Sequence, residues 1–302
     1  MTFPGKVTIY EVGPRDGLQN EAGLIPVEVK AEFIRQLIAA GHTAVETTSF
    51  VSPTWVPQLA DAAELLALID TPEGVRMPVL VPNDKGLNRA LDAGVKEIAI
   101  FGSSTETFAQ KNLNRSVAES LEMFRPVVDR ARDHGLLVRG YLSMCFGDPW
   151  EGSVAPEVVA GHARTLFDMG ITELSLGDTI GVGTPNQVVA LLDALAQRGI
   201  STDQLAVHFH DTYGQALANT LMAMQQGITV IDSSAGGLGG CPYAKSATGN
   251  LATEDLLWQL NGLGIDTGVD LHALVRTSVW MAEQLGRPSP SRAVQALSKE
   301  SS

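Results

Sequence analysis

Short runs of apolar and β-branched residues alternate with longer amphipathic stretches along the chain of 302 residues. Such runs are typical of parallel strands covered on both faces, and the stretches between them predict helices. Eight strands are predicted at residues 7–13, 44–50, 76–82, 97–103, 137–144, 173–179, 205–211 and 230–236. Eight strand–helix units favour a (βα)₈ TIM barrel, an α/β fold that takes roughly 250 residues.

The alternative fold is a doubly wound open sheet, which usually carries a glycine-rich phosphate-binding fingerprint after its first strand. Here the first strand ends in GPRDGLQNE, which is no such fingerprint. No linker or low-complexity stretch interrupts the pattern, so a single TIM-barrel domain is predicted over residues 1–302. The residues after about 252 predict two more helices. Residues from about 265 to 302 are expected to form a C-terminal helical extension, packed over the barrel or against a partner subunit.

One of the predicted helices, at about residues 116–134, has clear end signals. Ser116 is followed three residues later by Glu119, which is the pattern of a capping box. Pro126 lies inside the stretch and is expected to kink the helix or to split it, because proline has no amide hydrogen to donate.

The charge balance limits the possible partners. The chain has 34 acidic and 21 basic residues, a net charge of −13, whereas nucleic-acid affinity comes from clustered Lys and Arg. No apolar stretch approaches the roughly 18–20 residues that span a bilayer. Two cysteines, Cys145 and Cys241, form no disulfide framework, and the first residues lack the pattern of a secretory leader. We therefore expect a cytoplasmic protein with no nucleic-acid or membrane partner.

Reactive side chains gather where the predicted strands end, which is where TIM barrels carry their chemistry. Any one of them alone is more often a structural or surface residue than a functional one. Together with the loop after the eighth strand, however, five strands contribute to one rim, which favours an active site. The strand-end residues are Arg15 and Asp16 after the first strand, Glu46 in the second, Asp178 in the sixth, and His208 and His210 in the seventh.

The sequence His208-Phe209-His210 places two imidazoles on the same face of a strand. Two core histidines at this spacing would each need a buried hydrogen-bond partner, so a metal site is favoured. Asp16 and Asp178 are the candidates for its carboxylate ligand. Mixed nitrogen and oxygen ligands admit Mg²⁺, Mn²⁺, Zn²⁺ or Fe²⁺.

The loop after the eighth strand reads SAGGLGGCPYAKSATGN, with four glycines before Cys241 and with Asn250 at its end. Glycines allow a loop to move and to bring its backbone close to a ligand, although an ordinary glycine-rich connection has the same composition. The amide oxygen of Asn250 can bind a hard metal. The thiol of Cys241 is a candidate general acid or nucleophile.

Several blocks of the chain resemble the 3-hydroxy-3-methylglutaryl-CoA lyases of the DRE-TIM metal-dependent lyase superfamily. The blocks, which extend from about residue 6 to residue 265, are VTIYEVGPRDGLQNE, VETTSFVSP, SLGDTIGVGTP, VHFHDTYGQALANTLMA and GGLGGCPYA…GNLATED. GLGGCPYA is specific to these lyases, whereas HxHD is shared more widely in the superfamily.

The resemblance implies a role for each matching residue. The implied ligands of a divalent metal, Mg²⁺ or Mn²⁺, are Asp16, His208, His210 and Asn250. The implied catalytic residues are Arg15, the carboxylates Glu46 and Asp178, the loop thiol Cys241, and His208 or Asp178 as the general base.

The implied reaction is a retro-Claisen (aldol-type) cleavage of the CoA thioester 3-hydroxy-3-methylglutaryl-CoA to acetyl-CoA and acetoacetate, as in leucine degradation. The resemblance also suggests a homo-oligomer, either a dimer or a tetramer. Three alternatives stay open: a superfamily synthase that condenses acetyl-CoA with a 2-oxo acid, a lyase for a longer-branched 3-hydroxyglutaryl-CoA homologue, and a non-catalytic barrel that binds metal or CoA. Basic residues proposed to offset the acidic charge near the CoA phosphates are Lys85, Arg89, Lys111 and Arg115, although each of them taken singly is more often an ordinary solvated surface charge.

Overall fold

The computed structural model describes residues 3–240 and 249–299. Eight of its ten strands are parallel and form one sheet, and β6 and β7 form a separate antiparallel hairpin. The strands are β1 (Thr8–Glu11), β2 (Thr48–Ser49), β3 (Val79–Leu80), β4 (Glu97–Ser103), β5 (Leu137–Ser143), β6 (Gly147–Asp148), β7 (Gly152–Ser153), β8 (Glu173–Asp178), β9 (Leu205–Phe209) and β10 (Val230–Ser233).

Helices follow the strands of the parallel sheet. They are α1 (Val27–Ala39), α2 (Ala62–Leu68), α3 (Asp84–Asp92), α4 (Glu106–Leu113), α5 (Val117–Asp133), α6 (Pro156–Met169), α7 (Pro185–Gln197), α8 (Ala216–Gln225), α9 (Thr253–Gly262), α10 (Leu271–Leu285) and α11 (Arg292–Leu297). No helix within the described ranges is long and apolar enough to cross a membrane.

The sheet closes into a barrel. Its strand order is β1-β10-β9-β8-β5-β4-β3-β2, so β1 and β2 are the two ends. Backbone hydrogen bonds join these ends: the N–H of Glu11 donates to the carbonyl of Ala44 at 3.0 Å, and the N–H of Glu46 donates to the carbonyl of Glu11 at 2.8 Å. The predicted TIM barrel is therefore confirmed, and the open-sheet alternative is wrong.

The second and third strands are shorter than the predicted 44–50 and 76–82, at two residues each. Pro78 lies directly before β3 and Pro82 lies two residues after it, and proline has no N–H for the ladder. Single parallel bridges before β2 extend the pairing, from Val45 to Glu11 and from Ala44 to Arg76.

Two groups of side chains fill the space on either side of the sheet. The main apolar core includes Phe33 of α1, Ile98 of β4 and Phe124 of α5. Because its members come from both helices and strands, this core lies in the layer between the barrel and the helices. The barrel interior is more polar, because Arg139 of β5 is fully buried and contacts Asp232 of β10. Two strands lie between β5 and β10 in the sheet, so this pair meets across the interior.

The capping box predicted for α5 is present, with Ser116 and Glu119 as its two members. Of the two effects expected at Pro126, a kink or a split, the split does not occur, because one helix continues through this residue. Phe124 and Val127 on either side of the proline are buried, and their packing holds the helix together although one backbone hydrogen bond is lost.

The C-terminal extension is helical as expected, but three helices follow residue 252 rather than two. The first of them, α9, comes directly after the loop of β10 and completes the eighth strand–helix unit. The other two, α10 and α11, are separated because Gly286 has a φ of +63° and because Pro288 and Pro290 follow it. Such residues end helices.

Candidate active site

A five-residue turn, Gly13–Gly17, follows β1 and carries Arg15 and Asp16. The carbonyl of Val12 accepts the N–H groups of Arg15, Asp16 and Gly17 at 3.2, 2.8 and 3.1 Å. The turn therefore winds tightly on the end of the strand, and the two charged side chains leave it as neighbours.

Arg15 makes three contacts in the barrel mouth and is only 7% exposed. Its Nε donates to Glu46 Oε2 at 2.7 Å, its Nη1 donates to Asp16 Oδ1 at 2.9 Å, and its guanidinium carbon lies 5.4 Å from the centre of the Tyr141 ring. Although burial alone would lower the pKa of Arg15, Glu46 and Asp16 raise it. The guanidinium is therefore a fixed positive charge.

Glu46 is fully buried, and its second oxygen, Oε1, has no hydrogen-bond partner in the described parts of the chain. Burial raises the pKa of Glu46 above its ordinary value even though Arg15 opposes the rise. This carboxyl group is consequently easier to protonate than an exposed glutamate.

Asp16, His208 and His210 form a cluster whose candidate ligand atoms all lie within 4.8 Å of one another. Asp16 Oδ2 lies 4.0 Å from His208 Nε2, and the two imidazole centres are 5.3 Å apart. Burial alone would raise the pKa of Asp16, but Arg15 and the two histidines lower it. The structure thus brings Asp16, and not Asp178, to the histidine pair.

Asn250 joins this cluster from the end of the glycine-rich loop. Residues 210 and 250 pair as an antiparallel bridge, and Asn250 Nδ2 donates to Asp16 Oδ2 at 2.7 Å and to the carbonyl of Leu238 at 3.1 Å. Its amide oxygen is buried and has no hydrogen-bond partner among residues 3–240 and 249–299. A buried oxygen beside a carboxylate and two imidazoles fits a divalent cation.

The base of the loop approaches Asn250 so closely that one position needs glycine. Gly239 has a φ of +115°, and a Cβ there would lie 2.5 Å from Asn250 Nδ2. Cys241, the predicted catalytic thiol, lies outside the described residues. Its described neighbour Gly240 accepts a hydrogen bond from the Asn20 side chain at 3.0 Å, which links the base of the loop to the segment after β1.

Asp178 holds the turn that follows β8. Its Oδ1 accepts the N–H of Val182 at 3.0 Å, and its Oδ2 accepts the N–H of Gly183 at 2.9 Å. Burial raises its pKa to about 6, although these backbone donors act in the opposite direction. It is therefore a carboxylate that titrates close to neutral pH.

The structure adds three side chains that sequence reasoning missed: Tyr141, Arg139 and Asp232. The hydroxyl of Tyr141 is buried with no hydrogen-bond partner in the described ranges, and its ring meets that of His208 edge-on at 6.3 Å. Asp232 Oδ2 lies 3.3 Å from His208 Nδ1. The sequence did contain a signal for two of them, because Arg139 in LVRGYLS and Asp232 in VIDSS are charged residues inside predicted strands.

The other cysteine, Cys145, follows β5 and lies beside β8, where its N–H donates to the carbonyl of Gly177 at 3.0 Å. It is buried, its Sγ donates to the carbonyl of Leu142 at 3.0 Å, and burial raises its pKa to about 12. A protonated, buried thiol is unreactive.

The mouth therefore combines a fixed guanidinium, a buried carboxyl group and a candidate cation site. A cation and a guanidinium in one water-poor site can stabilise negative charge that develops on a substrate.

Two of the basic residues suggested for CoA pack against aromatic rings. Lys111 lies 4.9 Å from the centre of the Trp150 ring, and Arg89 lies 5.0 Å from the centre of the Phe50 ring. These contacts do not by themselves indicate a binding site for CoA.

Comparisons with known proteins identify the family and the fold of the chain. A family model described as HMGL-like matches residues 6–280. A bovine protein named "Hydroxymethylglutaryl-CoA lyase, mitochondrial" is 53% identical over 298 residues, which are 99% of this chain and 91% of that relative. An Arabidopsis thaliana relative of the same name is 53% identical over 98% of this chain, which spans 63% of that relative's length. The crystal structure of hydroxymethylglutaryl-CoA lyase from Pseudomonas aeruginosa superposes with a TM-score of 0.97, at 52% identity, covering 99% of this chain and 100% of that one.

Proposed function

The chain belongs to the HMGL-like family, and we propose that it is a divalent-metal-dependent lyase that cleaves 3-hydroxy-3-methylglutaryl-CoA to acetyl-CoA and acetoacetate. One observation carries this proposal: the permanent charge of Arg15 lies directly beside the cluster of Asp16, His208 and His210 in the barrel mouth. The names of the relatives, which are about half identical to this chain over nearly its whole length, support the same substrate.

The residues proposed to hold the metal are Asp16, His208, His210 and Asn250. The oxygen-containing ligand set suits Mg²⁺ or Mn²⁺. When bound, such an ion acts as a Lewis acid that lowers the pKa of the substrate's C3 hydroxyl.

Arg15 is proposed to stabilise the negative charge that develops on the thioester oxygen when the C2–C3 bond breaks. Glu46 and Asp16 hold two of its nitrogens, Nε and Nη1. Its third nitrogen, Nη2, donates no hydrogen bond within the described residues and is therefore available to the substrate. A donor that is already fixed in place needs no reorganisation during the reaction.

Asp178 and His208 are the two candidates for the base that takes the proton of the C3 hydroxyl. The pKa of Asp178, about 6, suits a general base that works near neutral pH. His208 already faces Asp16 through Nε2 and Asp232 through Nδ1. These contacts support Asp178 as the base and His208 as a ligand.

Cys241, together with Glu46, is proposed to protonate the carbon of the acetyl-CoA enolate. Replacing Cys241 with alanine is expected to lower the rate of acetoacetate formation by about 10²–10⁴-fold, the range typical of a lost general acid, while Mn²⁺ affinity stays unchanged. Steady-state assays and calorimetric Mn²⁺ titration measure the two quantities. Cys145→Ala is the matched control, since it removes the other thiol of the chain, which is buried and donates to the carbonyl of Leu142. A fall of Mn²⁺ affinity in Cys241→Ala would contradict the assignment.

The reaction itself is tested by an assay of acetoacetate release from 3-hydroxy-3-methylglutaryl-CoA. The enzyme is treated with a chelator and then assayed with and without added Mg²⁺ or Mn²⁺. We expect release only with metal. Condensation of acetyl-CoA with a 2-oxo acid would indicate the synthase instead, and metal binding without either reaction would indicate the non-catalytic barrel. A panel of substrates with longer C3 branches tests the remaining alternative.

The pathway, the oligomeric state and the location of the protein are also proposals. The reaction suits leucine degradation, and size-exclusion chromatography with light scattering tests the expected homo-oligomer. The bovine and Arabidopsis relatives are named mitochondrial, so the cytoplasmic location stays a prediction for this chain.

A further inference from the structure

His208 has a second polar neighbour on the side away from Asp16. Residues 208 and 232 are register partners on the adjacent strands β9 and β10, and His208 Nδ1 lies 3.3 Å from Asp232 Oδ2. Asp232 is only 1% exposed. The imidazole is thus held between two carboxylates, one at each ring nitrogen.

Within the described part of the chain, the other partners of Asp232 are all donors. Arg139 Nη2 donates to Oδ1 at 2.6 Å, Arg139 Nη1 donates to Oδ2 at 3.1 Å, and Ser175 Oγ donates to Oδ2 at 2.8 Å. A carboxylate that accepts two N–H groups from one buried, permanently charged guanidinium is held in its ionised form. An ionised carboxylate only accepts hydrogen bonds, so the proton in the contact with His208 belongs to Nδ1.

The position of Asp232 is itself fixed by its partner. Arg139 is fully buried, its Nε donates to Glu173 Oε1 at 2.6 Å, and its guanidinium carbon lies 3.7 Å from the centre of the Tyr10 ring and 4.8 Å from that of the Tyr141 ring. A guanidinium that packs against two aromatic rings and is bonded to Glu173 leaves Asp232 little freedom to turn away from His208.

We propose that Asp232 is a positioning residue that keeps the proton of neutral His208 on Nδ1 and so presents the bare Nε2 to the cluster of Asp16 and His210. It acts through His208 and touches neither metal nor substrate. This inference rests on the metal site in the proposed function and deepens it. Partners of this kind fix the tautomer and the orientation of a ligand histidine, and their loss typically costs about 10–100-fold in metal affinity.

The first test uses the unaltered protein. Two-dimensional ¹H–¹⁵N spectra of the imidazoles, recorded without metal at alkaline pH, distinguish the two tautomers of His208, whose signals are assigned from their absence in His208→Gln. We expect the proton on Nδ1. A proton on Nε2 would overturn the proposal, whether or not the protein turns out to be a lyase.

The second test measures Mn²⁺ affinity by calorimetry in Asp232→Asn. An asparagine can turn its amide group to donate to Nδ1, which moves the histidine proton to Nε2. We expect Mn²⁺ affinity to fall by about 10–100-fold and the tautomer signal to change. A folded Asp232→Asn protein with unchanged affinity and tautomer would refute the role. If this variant does not fold, the spectrum of the unaltered protein still decides.

Glu97→Gln is the matched control, because Glu97 is another buried carboxylate that pairs with an arginine, accepting from Arg76 Nε at 2.9 Å, and it contacts no histidine among its described partners. A purely structural role for Asp232 would make both variants less stable and leave both with normal Mn²⁺ affinity. The proposed role separates them, since Glu97→Gln is expected to lose only thermal stability. Failure of the unaltered protein to bind Mn²⁺ would reject the proposed function, while the tautomer measurement would still test the position of the proton.

Discussion

Replacing Arg15 with glutamine is expected to lower kcat/KM for 3-hydroxy-3-methylglutaryl-CoA by about 10²–10³-fold, the usual cost of removing one fixed donor to a developing oxyanion. Glutamine is shorter than arginine and is neutral, so it neither reaches as far nor stabilises an anion. Mn²⁺ affinity is expected to survive, because Asp16, His208 and His210 are unchanged. Steady-state kinetics and calorimetric Mn²⁺ titration measure the two effects separately.

The same substitution removes the cation beside buried Glu46. Breaking one side of a buried ion pair typically costs about 3–5 kcal/mol of unfolding free energy, so a loss of activity has to be separated from a loss of fold. The double variant Arg15→Gln/Glu46→Gln removes both charges and is expected to regain stability without regaining activity. Arg125→Gln, at an exposed arginine on α5 that pairs with Glu122, serves as the control. A parallel fall of metal affinity and activity in Arg15→Gln would show that the role of Arg15 is wrong.

Replacing His210 with alanine is expected to abolish stable metal binding and to lower turnover by about 10²-fold or more. His210 is buried and forms part of the Asp16–His208–His210 cluster, so alanine leaves a gap that no neighbouring ligand atom fills. A bound metal contributes several kcal/mol of charge stabilisation, and each 1.36 kcal/mol corresponds to a tenfold change in rate. Asp16→Ala is expected to behave in the same way.

Elemental analysis after dialysis gives the metal content per chain. His272→Ala is the control, since His272 is exposed on α10 and lies outside the cluster. A full metal complement in dialysed His210→Ala or Asp16→Ala would contradict the ligand assignment. Loss of activity with retained metal would point instead to a direct catalytic role for the substituted residue.

Local patterns in the sequence predicted most of the framework. All eight predicted strands of the sheet are present in order, because burial on both faces imposes an apolar run that is visible in any single strand. The spacing of His208 and His210 placed both on one face, since alternate residues of a strand point the same way. Whether Pro126 would kink or split its helix was left open by the sequence, and the structure shows that α5 is not split there, because packing of the neighbouring side chains outweighs one lost hydrogen bond.

The sequence by itself determined the class of fold and the set of strand-end residues available for chemistry, because periodicity and capping are properties of neighbouring residues. Residue spacing left open which carboxylate meets the histidines, and the family resemblance implied Asp16. The closed barrel brings Asp16 to the histidines, while Asp178 accepts from the backbone of its own loop. Only the tertiary structure joined Arg139 to Asp232, which is 93 residues away along the chain, and placed that pair behind His208. Which side chains meet inside a barrel depends on the strand order and the closure of the sheet, and no local pattern encodes either.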